Sequence, residues 1–162
     1  MTLWAWSVGA WTKPVVKRAC LDLQDLADQS VALLLWRAWR AAEGRPTSPD
    51  LIQRAANIAR PVETGILRPL RAARRSLAED QPGLDNGTRL GARDQLRAAE
   101  LDLERALLEA LEALPSIPSG KEDADVASAL EVLMEIWTAS APGDQARGLA
   151  ATLARALARA PA

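Results

Sequence analysis

The chain has 162 residues, 49% apolar and 25% charged, which suits one domain burying roughly two-thirds of its unfolded surface. That composition excludes a disordered tail and a collagen-like or disulfide-rich scaffold, and the longest apolar run, Val31 to Trp36, is far below the ~20 residues of a membrane span. Lys and Arg number 20 against 21 Asp and Glu, so a net charge of −1 leaves no whole-molecule field to gather nucleic acid or anionic lipid.

In chain order, Trp4, Val8 and Trp11 fall at helical spacing, which predicts a short helix over 3–11 with those three on one side. Thr12 and Pro14 open a second helix, about 14–28, with Val16, Cys20, Leu23 and Ala27 on one stripe. Ser30 caps a third, about 31–43, whose apolar residues run around most of its circumference, so it is expected to be central. Ser48-Pro49-Asp50 starts a fourth over about 49–59.

Pro61 opens or kinks a segment over about 61–79 that lines up Ile66, Leu70, Ala73 and Leu77, with Gly65 and Pro69 weakening its middle. Whether 49–79 is two helices or one broken helix stays open at this stage. Residues 80–87 read as a loop. A long helix follows over about 91–113, repeating Leu96, Ala99, Leu103, Leu107, Ala110 and Leu114. Helices over about 122–138 and 144–159 close the chain. Strand alternation is nearly absent, and no period of 20 to 50 residues repeats. The expectation is an all-α, single-domain bundle of about six to eight helices over 1–162.

The absences bound the chemistry. With no His there is no imidazole base, no His-bearing metal site and no Ser-His or Cys-His pair. Isolated glycines give no phosphate-cradling loop, and the carboxylates lack metal-loop spacing, so no cofactor, metal ligand or catalytic residue is assigned. Tyr and Phe are also absent while Trp occurs six times, a pattern that GC-biased coding produces, with Trp carrying the aromatic packing. The lone Cys20 shares an apolar stripe and reads as a buried structural thiol, and with no basic leader ahead of the first apolar stretch it fits a reducing cytoplasm.

Five blocks carry a resemblance: Trp4-x-Trp6-Ser7, Cys20-Leu-Asp-Leu-Gln-Asp25, Val31-x-Leu-Leu-Leu35 with Trp39, the run Arg68 to Leu77, and the run Ala98 to Leu108. In this order they resemble a family of small bacterial proteins catalogued only as a domain of unknown function, over about residues 3–112, leaving a C-terminal helical pair at about 122–160 outside. The resemblance implies a helical bacterial cytoplasmic protein and brings no activity or site residue with it. The chain departs from the pattern at the turn from Leu26 to Gln29, which lacks the usual glycine, and at Ala32, where the pattern has Asn.

Arg68, Arg71, Arg74 and Arg75 form the densest charge feature. An antiparallel hairpin of 61–79 against 91–113 is expected to set Arg68 and Arg71 opposite Glu100 and Glu104, leaving Arg74 and Arg75 near the open loop as contact residues for a partner. By elimination the chain reads as a non-enzymatic cytoplasmic protein-interaction module, with no membrane partner and no oligomeric state indicated. Two alternatives stand beside it: an apolar-ligand carrier or enzyme with a Trp-lined pocket, and an RNA- or ribosome-associated factor using the arginine helix together with Arg147, Arg155 and Arg159.

Overall fold

A computed structural model describes residues 1–115 and 125–158. Helix α1 (Leu3–Trp11) starts where the Thr2 hydroxyl accepts from the Ala5 N–H. It buries Leu3, Ser7 and Ala10, while Val8 is exposed and Trp4 and Trp11 are only half-buried, so the apolar stripe read from sequence is rotated. The small Ser7 and Ala10 let α1 lie close to its neighbours, and the Trp4 ring lies at the flank with the Arg105 guanidinium 5.5 Å from its centroid. Helix α2 (Pro14–Ala27) turns Val16, Cys20 and Leu23 inward, as its stripe predicts, together with Ala19, while Ala27 at its end is half-buried.

Helix α3 (Val31–Ala42) is the central element: nine of its twelve residues are buried, and the Ser30 hydroxyl caps it through the Leu33 N–H. Two of the nine are Arg37 and Arg40, which sequence patterning alone places outside. Arg40 is satisfied by folding the following loop onto itself: its guanidinium donates to the Thr47 hydroxyl at 2.9 Å and the Pro46 carbonyl at 2.8 Å. Trp36 donates its indole N–H to the Leu111 carbonyl at 3.0 Å, which ties α3 to the last turn of α6 (Asn86–Glu112).

Residues 49–76 form one continuous helical rod: α4 (Pro49–Val62), a π turn (Glu63–Leu67) and α5 (Arg68–Ser76). The π turn has a cause in the sequence. Pro69 cannot donate, and in an unbroken α-helix its ring would collide with the Gly65 carbonyl four residues back. Widening the turn, so that Arg68 N–H reaches the Glu63 carbonyl, accommodates it. The wider turn also changes which side chains face inward. In an α-helix each +4 step drifts by about 40°, but the π turn offsets that drift and keeps Ala55, Ala59, Glu63, Leu67 and Arg71 on the buried line. Ile66 and Ala73, expected inside from the α-helical period, are therefore exposed.

Helix α6 begins at Asn86, five residues before the predicted start at 91. Asp85 caps it by accepting from the Thr88 N–H at 2.9 Å, and the buried Arg89 donates back to the Leu77 and Ala78 carbonyls left open at the end of α5. Asn86-Gly87, read as part of the 80–87 loop, is thus the first turn of a helix. Leu111 replaces the expected Ala110 in the core.

Helices α7 (Val126–Thr138) and α8 (Asp144–Ala158) cover α2, α3 and α4 with Leu130, Leu133, Met134, Trp137, Ala150 and Leu153. The predicted starts and ends at 122–124 and 159 fall outside the described residues, as does Arg159. The architecture is an all-α, single-domain bundle of seven helices among the described residues, the 49–76 rod counted once. Cys20 is fully buried within it, and burial pushes its thiol up to about 12. Thiol reagents are expected to label Cys20 slowly in the native protein and rapidly after denaturation. Fast native labelling would contradict this packing.

Candidate functional site

The π turn brings the arginine run against the end of α2 and the end of α7. There a polar hollow of about 180 Å³ is bordered by Gln24, Asp25, Asp28, Gln29, Glu63, Arg68, Arg71, Arg75 and Trp137. Its floor is a buried relay. The Ser30 hydroxyl donates to Glu63 Oε1 at 2.9 Å, Arg71 Nη1 donates to Glu63 Oε2 at 2.9 Å, and Arg71 Nη2 donates to Glu104 Oε1 at 2.9 Å. The same serine caps α3, so the relay joins three elements: the start of α3, the rod and α6.

Charge states follow from these neighbours. Burial acts to lower the Arg71 pKa, but the charge and hydrogen bond of Glu63, followed by Glu104, outweigh it, and the guanidinium stands above its ordinary value. Glu104 is shifted up chiefly by burial, with Glu63 and Glu100 adding repulsion and Arg71 opposing both. The relay therefore holds a permanently charged Arg71 between two acids. Its geometry is fixed because one planar guanidinium bridges the two carboxylates, Nη1 to Glu63 and Nη2 to Glu104.

The rim differs from the floor. Arg68 Nη2 donates to Asp28 Oδ1 at 2.6 Å, and Arg75 Nη1 stands 3.6 Å from Asp25 Oδ1, beyond a hydrogen bond. Side-chain exposure is 51% and 69% for the first pair and 58% and 55% for the second, against 9% and 6% for Arg71 and Glu63. Exposed pairs of this kind contribute only ~0.2 to 1 kcal/mol, so a competing charge can exchange with them.

Asp28 has a further role. It ends α2 in the left-handed region, at φ 53°, where glycine is favoured. Its carbonyl accepts the Trp137 indole N–H at 2.7 Å, and the Arg60 guanidinium lies 4.4 Å from the Trp137 ring centroid while donating to the Trp137 carbonyl at 2.9 Å. The left-handed position of this turn is thus occupied by an aspartate held through both its side chain and its carbonyl.

The hairpin of α5 on α6 forms as expected, but its register lies about one turn along. Arg71 meets Glu104, Arg74 Nε donates to Glu100 Oε1 at 2.6 Å, and Arg68 turns to Asp28 instead of α6. Arg74 and Arg75, expected to face few acids, each have one: Arg74 is held by the buried Glu100, away from the hollow, while Arg75 borders it. Sequence reasoning missed Glu63, Asp28 and Trp137. The +4 series through Ala55, Ala59, Leu67 and Arg71 was the one signal for Glu63. A second hollow of about 230 Å³, lined by residues including Leu26, Gln29, Thr138, Pro142 and Leu149, has no tryptophan. Trp36 and Trp39 are core, and Trp4, Trp6 and Trp11 are half-buried around it. No group of acids or cysteine suited to a metal ion occurs among the described residues.

These features define an all-α bundle with an arginine-rimmed polar hollow and, among the described residues, no helix long and apolar enough to cross a membrane. A family model described as a protein of unknown function, DUF2390, matches residues 2–111, and the chain belongs to that family. Searches of the curated proteins and of the solved structures found no match to the chain. The matched region supplies every residue bordering the arginine hollow except Trp137, which α7 contributes from outside it.

Proposed function

We propose that the chain is a non-enzymatic cytoplasmic interaction module that docks an acidic segment of a partner protein at this hollow. Arg68 and Arg75 are the contact cations, and Arg74 holds the α5–α6 hairpin through Glu100 so that Arg75 is presented. The observation that carries the reading is the contrast between a closed floor and an open rim, because only the rim pairs can trade Asp25 and Asp28 for a partner's carboxylates at small cost. Gln24, whose amide donates to Asp25, borders the same rim.

The test is affinity capture from lysate, treated with nuclease, using the wild type and the Arg68→Glu, Arg75→Glu double variant. Capture of a protein that survives nuclease and is lost in the variant is the expected result. Capture unchanged in the variant, or abolished by nuclease, would overturn the reading.

A further inference from the structure

The first half of α6 presents a face that none of the described residues covers. Leu90, Asp94, Arg97 and Leu101 lie along it at steps of four, three and four, the spacing of a two-stranded coiled-coil seam, and all four are exposed. Leu90 is 44% and Leu101 53% exposed, and neither Asp94 nor Arg97 forms an ion pair or side-chain hydrogen bond among the described residues. The order Leu, Asp, Arg, Leu is symmetric about the midpoint between Gln95 and Leu96.

From this symmetry we infer that the face is a self-association surface, on which a second copy of α6 packs antiparallel about a two-fold axis. In that register Leu90 meets Leu101 of the second copy, and Asp94 meets its Arg97, twice over by symmetry. Each charge left unpartnered in the single chain gains an opposite one, and each exposed leucine gains a leucine. A parallel pairing would set Asp94 against Asp94 and Arg97 against Arg97, and a shifted antiparallel one would set leucine against charge, so the sequence selects one register. The exposed Gly87, Gly91 and Ala98 on one flank leave room for close approach: a Cβ at Gly91 would meet nothing within 4 Å. With two leucines per copy, one at each end of the seam, and the charge pairs between them, the interface is small and the association is reversible.

Sedimentation equilibrium of the full chain from micromolar to millimolar concentration tests the inference. The wild type is expected to pass reversibly from monomer to dimer. Asp94→Arg or Arg97→Asp alone, each placing like charges face to face, is expected to weaken dimerisation about tenfold or more. The Asp94→Arg, Arg97→Asp double variant rebuilds the pairs in reverse and is expected to return to within about threefold of the wild type. All these positions are exposed, and circular dichroism of each variant checks that the helix is intact. A wild type that stays monomeric throughout, or a double variant as weak as the singles, would overturn the inference.

Discussion

Replacing Glu63 by alanine is expected to lower stability by about 3 to 5 kcal/mol, the range for breaking a buried pair from one side. The carboxylate receives two charge-bearing or capping partners at once, Arg71 and Ser30, on the buried floor of the hollow. Removing it leaves the Arg71 guanidinium with Glu104 alone and leaves the Ser30 hydroxyl with only its capping bond. The double variant Glu63→Leu, Arg71→Met removes both charges and fills similar volume, so it is expected to recover half or more of the loss. Urea unfolding of the two variants beside the wild type measures this. A single-variant loss below about 1 kcal/mol would mean that the relay is solvated and that the rod is held by packing alone.

Trp36→Ala is expected to cost about 3 to 5 kcal/mol for a different reason. The side chain is fully buried at the middle of the central helix, and its indole N–H satisfies the Leu111 carbonyl in the last turn of α6. Alanine opens a cavity and orphans a terminal carbonyl together. Because a domain of this size has only about 5 to 15 kcal/mol of stability, the alanine variant stands near the limit of folding. Trp36→Phe separates the two effects: most of the packing is kept and the hydrogen bond is lost, for about 1 to 3 kcal/mol. Equal losses in the two variants would show that packing around the ring adds little.

Much of the helical framework was legible because local chemistry marks helix starts: Ser30 and Ser48 cap where their side chains predict, and Pro14 and Pro49 take first-turn positions. Two features broke the local rules. Asn86-Gly87 carries turn chemistry, yet Asp85 and the long reach of Arg89 recruit it into α6. The π turn adds a residue to the period, and a search at 3.6 residues per turn then selects Ile66 where Leu67 is buried. The arginines of the site were visible as a run, whereas their partners were not. Asp28 reaches Arg68, and Trp137 reaches Asp28, through contacts distant in sequence that no local spacing encodes, while Glu63 sits eight residues before Arg71 on a +4 line that the π turn disguises.

The separation of a structural floor from an exchangeable rim is the claim on which the functional reading rests, and the stability of the Arg68→Ala, Arg75→Ala double variant measures it most directly. Both rim pairs are more than half exposed, so the loss is expected to stay within about 1 to 2 kcal/mol, well under that of Glu63→Ala. A loss of about 3 kcal/mol or more would place Arg68 and Arg75 among the groups that hold the fold together and contradict their assignment to a partner.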